Sequence, residues 1–139
     1  MRFWDSSALL PLFVAERSTA EMRELAELDS DIIVWTLTFV ELISSVWRRE
    51  PGAYPDIHRA EAARRISAAD GKWFKVSGIR AVIAVSKDVA NRRRLRAGDT
   101  LQLSAAIVAS DGHPASLPFV TLDRDLASAA RAEGFPVLP

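Results

Sequence analysis

Hydrophobic residues in this chain form short continuous runs that alternate with longer segments of helical periodicity. The runs at residues 2–4, 32–35, 73–76 and 119–120 are too short for helices. We predict a strand at each run and an edge strand at 135–138, a position where Pro136 is tolerated. Strands that alternate with helices are typical of an α/β protein with a parallel sheet.

The segments between the runs repeat apolar residues at the spacing of an amphipathic helix. A further helix opens at Asp99 and Thr100, and because it is apolar on nearly all sides we expect it to be buried. Loops are predicted where proline and glycine cluster, at residues 50–55 and 110–118. The other predicted helices cover residues 18–28, 37–49, 56–69, 79–95 and 126–132. The pattern predicts a single α/β domain over residues 1–139, with a central, mostly parallel sheet of four to five strands flanked by helices.

Composition narrows the class of protein. The chain has 139 residues, of which 49% are hydrophobic, enough for one domain with its own core. It contains no cysteine, which excludes disulfides, thiolate metal sites and a cysteine nucleophile. No apolar stretch is long enough for a membrane span, and the first residues do not resemble a signal peptide. We therefore expect a cytoplasmic protein that does not contact a membrane.

Charge limits how the chain can bind a polyanion. Its 18 basic and 18 acidic side chains give a net charge of zero, whereas proteins that bind nucleic acid over their whole surface are normally basic. The basic residues that cluster are Arg92, Arg93, Arg94 and Arg96. We predict that they bind phosphate; the alternative is that they stabilise the negative end of a helix.

Acidic residues stand where predicted strands end or the following helices begin. Asp5 follows the first run and Asp123 follows the run at 119–120, while Glu41 lies one turn into the helix after the second run. Because the carboxyl ends of parallel strands meet at one edge of a sheet, we expect these acids and Asp99 to share a cleft. The alternatives are helix capping for Asp5 and Asp99 and a solvated helix face for Glu41.

Such a cluster favours a divalent cation. Carboxylates raise one another's pKa values, and burial adds to this cost, so a bound cation would stabilise them. Oxygen ligands without cysteine or a histidine pair suit Mg²⁺ or Mn²⁺ rather than zinc. The chemistry that fits this combination is metal-assisted hydrolysis of a phosphodiester bond.

Four segments together resemble the motifs of PIN-domain ribonucleases, and most closely the VapC-type toxins of bacterial toxin–antitoxin pairs. They are residues 5–10, the helix-borne Glu41, residues 95–99 and residues 120–123, and the resemblance extends from residue 3 to about residue 131. The one departure we note is Gln102, where relatives often have a histidine.

The resemblance implies an endoribonuclease that uses Mg²⁺ or Mn²⁺, acts on RNA, forms a homodimer and is inhibited by a cognate VapB-type antitoxin. It implies that Ser7 and Thr121 brace the site, and that the catalytic, metal-binding set is Asp5, Glu41, Asp99 and Asp123. Asp125 is an alternative fourth acid, although the Thr-x-Asp pattern favours Asp123.

Other functions remain open. A nuclease without metal would need His58 and His113 as acid and base, and nothing in the sequence brings them together. A PIN-like binding module with weak or lost activity, acting with its antitoxin, is the main rival. Aromatic residues and arginine are enriched in interface hot spots, so we predict partner contact at Trp47, Arg48 and Tyr54. For Trp47 the alternative is ordinary core packing, since it lies on the apolar stripe of its helix.

Overall fold

A five-stranded parallel sheet forms the centre of the molecule. The structure, a computed structural model, describes residues 1–29, 31–50, 52 and 54–139, so the loop predicted at 50–55 lies partly outside the described residues, at Pro51 and Ala53. The strands are β1 (Arg2–Trp4), β2 (Ile32–Trp35), β3 (Phe74–Val76), β4 (Phe119–Val120) and β5 (Val137–Leu138). Their order across the sheet is β3-β2-β1-β4-β5, and all four ladders are parallel. The predicted fold class is confirmed.

Within the described ranges, seven α-helices connect and cover the strands. They are α1 (Ser6–Leu9), α2 (Thr19–Glu27), α3 (Thr38–Trp47), α4 (Asp56–Asp70), α5 (Ile79–Arg92), α6 (Ala97–Ala109) and α7 (Arg124–Ala132). Short 3₁₀ turns lie at Leu10–Leu12 and Pro114–Ser116. Within the described residues, none of these helices is long and apolar enough to cross a membrane.

Two helix boundaries near the predicted site differ from the sequence-based expectation. The helix predicted over 79–95 ends at Arg92, because Arg93 turns to an extended backbone (φ −125°, ψ 135°). The next helix begins at Ala97 rather than at Asp99. The arginine cluster therefore lies mostly on a connection between two helices and not along one helix end.

The core has two parts, one on each face of the sheet. Neighbouring residues of a strand point to opposite faces, so Phe3 packs with α5, α6 and α7 while Trp4 packs with α1 to α4. Both side chains are fully buried. On the first face, Phe3 stacks on Phe119 with ring centroids 5.2 Å apart. Because helices cover both faces of this parallel sheet, polar groups can gather only at the ends of its strands.

The position of β1 places the predicted site at the carboxyl edge of the sheet. β1 pairs with β2 on one side and with β4 on the other. Directly after β1, the Asp5 amide donates to the Val120 carbonyl at 3.0 Å, so the ends of β1 and β4 are joined. The residues that follow these two strands, Asp5 and Thr121, are consequently neighbours although they are far apart in the chain.

Candidate active site

Asp5 leaves the end of β1 as a buried carboxylate. It caps α1 by accepting the Ser7 amide at 3.1 Å, and the same oxygen, Oδ2, accepts the hydroxyls of Ser7 at 2.5 Å and Thr121 at 3.1 Å. Burial raises the pKa of Asp5, because desolvation outweighs the lowering effect of these hydrogen bonds. The capping alternative is therefore correct for Asp5, and capping does not exclude metal binding.

Ser7 and Thr121 connect the first and fourth motifs. Their hydroxyl oxygens are 3.2 Å apart. Ser7 Oγ accepts the Leu122 amide at 2.9 Å, and Thr121 Oγ1 accepts the Asp123 amide at 3.1 Å. Both hydroxyls thus fix the position of Asp5 relative to the segment that contains Asp123, which is the geometry that a bracing role requires.

Glu41 points toward the same edge from the first turn of α3. It is half-buried, and its Oε2 accepts Nε2 of Gln102 at 2.6 Å. Burial is the main cause that raises the pKa of Glu41, and the charges of Asp5 and Asp99 add to it. Glu41 is therefore not the solvated side chain that its polar helix face alone would predict.

Asp99 lies between the other acids. It is the third residue of α6, whose N-cap is Arg96, so the capping alternative for Asp99 is wrong. The pKa of Asp99 is raised first by burial, then by the charges of Asp123 and Asp5, while Arg96 lowers it. These interactions connect Asp99 to the acids at the ends of both β1 and β4.

The fourth acid is still a choice between Asp123 and Asp125. Asp123 caps α7 by accepting the Leu126 amide at 2.8 Å. Both carboxylates line a cleft of about 330 Å³ together with Asp99. The charge of Asp123 raises the pKa of Asp99 more than that of Asp125 does, which favours Asp123.

Two clefts meet at Asp99 and Arg96. One is the cleft of about 330 Å³ shared with Asp123 and Asp125. The other, of about 340 Å³, opens between α1, α3 and α6 and is lined by Ser6, Val40, Glu41, Ser44, Ser45, Arg48, Arg96, Gly98 and Asp99. Acids from three segments, Glu41, Asp99 and the pair Asp123 and Asp125, therefore border these two adjoining clefts, while Asp5 is buried and lines neither.

The donor set fits a hard divalent cation held partly by water. As the side chains stand, the described residues contain no group of three or more His, Asp or Glu side chains close enough to bind one ion. Mg²⁺ normally takes only one or two carboxylates and keeps several waters, so it does not need such a group. Burial is the first cause that raises the pKa values of Asp5, Glu41 and Asp99, so a bound cation would offset the cost of keeping these acids ionised.

The arginines predicted to bind phosphate divide into two pairs. Arg92 and Arg93 are both ion-paired with Glu133 of the α7 C-cap, each with an Nε to Oε1 distance of 2.9 Å. Arg94 and Arg96 are exposed and line the cleft beside Asp99. The second pair is therefore placed to contact a ligand of the acidic site, whereas the first pair is held by Glu133.

Of the three residues of the predicted partner contact, Arg48 lines a cleft beside the acids, and Trp47 and Tyr54 do not. Trp47 is 49% exposed, so the core-packing alternative is wrong. Arg48 is hydrogen-bonded to the hydroxyls of Ser44 and Ser45 and lines the cleft with Glu41. Tyr54 is half-buried, with the Arg49 guanidinium 5.7 Å from its ring centroid.

Neither histidine is near the acids. His58 is exposed and its ring lies 5.9 Å from that of Tyr54, while Nδ1 of His113 is hydrogen-bonded to the Asp111 carbonyl. Neither lines the two clefts described above. The geometry gives no support to a nuclease that uses this pair as acid and base.

The sequence analysis noted Gln102 only as a departure from the motifs and gave it no role in the site. It is three residues after Asp99, so both lie on one side of α6, and it is buried against Glu41. Its place in the motif, where relatives often have a histidine, was the available signal.

Comparison with known proteins places the fold. No family model matches the sequence, and no curated protein matches it. Among solved structures, it resembles a toxin–antitoxin complex from Klebsiella pneumoniae (TM-score 0.68, 17% identity, covering 100% of this chain and 97% of the other). It also resembles FitAcB from Neisseria gonorrhoeae (TM-score 0.67, 15% identity, covering 100% of this chain and 97% of the other). A third similar structure is PAE2754 from Pyrobaculum aerophilum (TM-score 0.59, 17% identity, covering 92% of this chain and 83% of the other). At these identities the likeness establishes the fold alone, which is the parallel α/β sheet flanked by helices that the sequence pattern predicted.

Proposed function

We propose that this protein is an endoribonuclease toxin that hydrolyses RNA phosphodiester bonds with Mg²⁺ or Mn²⁺. The observation that carries the proposal is the convergence of Asp5, Glu41 and Asp99 at the carboxyl edge of the sheet, where burial raises all three pKa values and the charges of neighbouring acids add to the rise for Glu41 and Asp99. A cation bound to one or two of these carboxylates would offset the cost of keeping such acids ionised near one another.

The residues that would hold the ion are Asp5, Glu41, Asp99 and Asp123. When bound, the cation supplies charge stabilisation for the phosphate oxygens during hydrolysis. Ser7 and Thr121 hold Asp5 in position, and Asp123 is fixed by its cap on α7. The chain thus provides a rigid acidic frame, built mainly on helix and strand ends.

RNA is the proposed substrate because cations flank the acids in a molecule without net charge. Arg96 and Arg94 lie on one side and Arg48 on the other. Guanidinium groups bind phosphate oxygens through paired N–H donors and fix the backbone without selecting its sequence. Arg92 and Arg93 would contribute only if Glu133 released them.

An antitoxin is the proposed protein partner. One structural neighbour is a toxin–antitoxin complex that this chain matches over its whole length. We propose that a VapB-type antitoxin inhibits the enzyme, that Trp47, Arg48 and Tyr54 contribute to its contact, and that the enzyme is a cytoplasmic homodimer. The exposed Trp47 supports this contact, since large aromatic side chains dominate binding energy at interfaces.

The test is cleavage of total cellular RNA by purified protein, shown by mass spectrometry to be free of a bound partner. Cleavage should require Mg²⁺ or Mn²⁺, stop with EDTA, and fall by at least about a hundredfold in Asp5→Asn, since metal assistance contributes several kcal/mol to such reactions. The matched control is Glu27→Gln, which removes an exposed carboxylate at the end of α2, just before β2 begins and so at the opposite edge of the sheet.

The second candidate is a PIN-like binding module without significant activity. It shares the fold and the acids, so only the chemistry separates the two functions. A partner-free protein that binds Mn²⁺ and RNA but leaves the RNA intact would favour this module and contradict the nuclease. Cleavage that is equal in wild type and Asp5→Asn would contradict the proposed site.

A further inference from the structure

The side-chain amide of Gln102 donates a hydrogen bond to an acid of the site. Its side chain is 1% exposed and lies between α6 and α3. Its Nε2 donates to Glu41 Oε2 at 2.6 Å and to Thr38 Oγ1 at 3.1 Å. Both N–H groups of the amide are therefore directed at α3, one of them at a proposed metal-binding carboxylate.

The oxygen of the same amide is different. Gln102 Oε1 is buried and accepts no hydrogen bond from any of the residues that the structure describes, a rare condition for a side-chain oxygen in a folded protein. Turning the amide over would not solve this, because Oε1 would then face the oxygen of Glu41, an acceptor that cannot donate when ionised. The contact with Glu41 fixes the amide and leaves Oε1 unsatisfied.

Glu41 is also confined on its other oxygen. A methyl group added at Gly98 would come 3.6 Å from Glu41 Oε1, so the backbone at the start of α6 lies close to this oxygen. Gln102 and Gly98 belong to the same helix as Asp99. One helix thus supplies an acid of the site and also holds the acid from α3.

We propose that Gln102 is a positioning residue that holds the Glu41 carboxylate in the orientation required for binding the divalent cation. This inference rests on the proposed metal site and goes beyond it, because Gln102 itself touches neither cation nor substrate. Hydrogen-bond partners that orient a ligand in this way typically change metal affinity about 10–100-fold when removed. The need to orient Glu41 explains why the buried Gln102 amide keeps its oxygen without a hydrogen bond.

The test measures Mn²⁺ binding to the metal-free protein by electron paramagnetic resonance, with no RNA present. Gln102→Met has similar length and no donor, and it should bind Mn²⁺ about 10–100-fold more weakly. Its melting temperature should not fall in parallel, because the substitution also removes the unsatisfied oxygen. Gln102→His keeps a ring N–H and should recover most of the affinity lost in the methionine variant.

Two further variants keep the test decisive. Ser104→Ala is the matched control: Ser104 is buried in α6 and its hydroxyl donates to the Thr100 carbonyl within the same helix, so Mn²⁺ affinity should not change. Thr38→Val removes the second anchor of the Gln102 amide without touching Gln102, and should weaken binding by a smaller factor. Thr38→Val also serves if Gln102→Met fails to fold.

Each result has one meaning. Wild type that binds Mn²⁺ together with a folded Gln102→Met that binds it equally well overturns this inference alone. A histidine variant no better than the methionine variant, or an equal loss in Ser104→Ala, contradicts the role of the amide donor. Wild type that binds no Mn²⁺ contradicts the proposed metal site, and this inference fails with it.

Discussion

At the scale of single residues, Asp5 is the group whose charge is least compatible with its surroundings. It is buried, yet it accepts three hydrogen bonds through one oxygen. Asn at the same position keeps a side-chain oxygen for the cap of α1 and removes the charge. Function and stability should therefore respond to this substitution in opposite directions.

We expect Asp5→Asn to be at least as stable as wild type in EDTA at pH 8, because the desolvated charge is gone. The same variant should lose metal-dependent cleavage. Thermal unfolding of both proteins in EDTA measures the first effect. A large loss of stability would mean that the carboxylate is needed for the fold.

The raised pKa values of Asp5, Glu41 and Asp99 also predict a pH dependence. An acid whose pKa is higher in the folded protein than in the unfolded chain favours folding while it is protonated, and this contribution is lost as the pH rises through the folded pKa. In EDTA, wild type should therefore lose stability relative to Asp99→Asn as the pH rises from about 4, the ordinary carboxyl value, toward neutrality. Denaturant unfolding at a series of pH values checks this, and parallel curves would contradict it.

At the scale of elements, the connection between α5 and α6 separates two kinds of arginine. Arg92 and Arg93 are used to attach the end of α5 to Glu133 at the end of α7. Arg94 and Arg96 face the acidic cleft from the connection itself. The break in the helix at Arg93 is what directs neighbouring arginines to different partners.

Arg94→Gln and Arg96→Gln should each weaken RNA binding and reduce the salt dependence of the binding constant by about one phosphate contact. Arg92→Gln is the matched comparison: it should leave RNA binding nearly unchanged and cost about 0.2–1 kcal/mol of stability, as partly exposed ion pairs do. Fluorescence titrations with RNA in EDTA, at several salt concentrations, measure both. If all three substitutions weaken RNA binding equally, the arginines act as one patch, and their division into two pairs is wrong.

The strands and the acids at their ends were predictable because each depends on local pattern. Short apolar runs mark strands such as Ile32–Trp35, and an acid that follows such a run lies at a sheet edge wherever the sheet is parallel. Helix ends were less predictable, because Arg93 leaves α5 to meet Glu133, a residue 40 positions later in the chain. The exposure of Trp47 likewise depends on which helices pack beside α3, a tertiary property that helical periodicity does not contain.

The candidate site shows the same limit. Asp5, Glu41, Asp99 and Asp123 could be selected because their chemistry and spacing are visible in the sequence. The contact of Gln102 could not be selected in this way, because it forms only when α6 packs against α3 and brings the amide to Glu41. Pairwise contacts across the core are decided by packing, and one sequence does not specify them.

At the scale of the whole molecule, cation binding should stabilise the native state. A ligand that binds only the folded protein adds about 2.7 kcal/mol at a concentration a hundred times its dissociation constant. We expect the melting temperature of wild type and Glu27→Gln to rise with Mg²⁺ or Mn²⁺ and to return with EDTA. The melting temperature of Asp5→Asn should rise little when the cation is added. If it rises as much as that of wild type, the ion binds at another site.

The pairing of β1 with β4 has a consequence for a chain under synthesis. The Thr121 hydroxyl that holds Asp5 is 116 positions further along the sequence, and β4 must be present before it can do so. A ribosome-bound chain that has exposed only its first hundred residues can form no complete site, whatever structure it has adopted. The hydrolytic activity that we propose therefore cannot arise until most of the protein has left the ribosome, so an incomplete product of translation is harmless to the RNA around it.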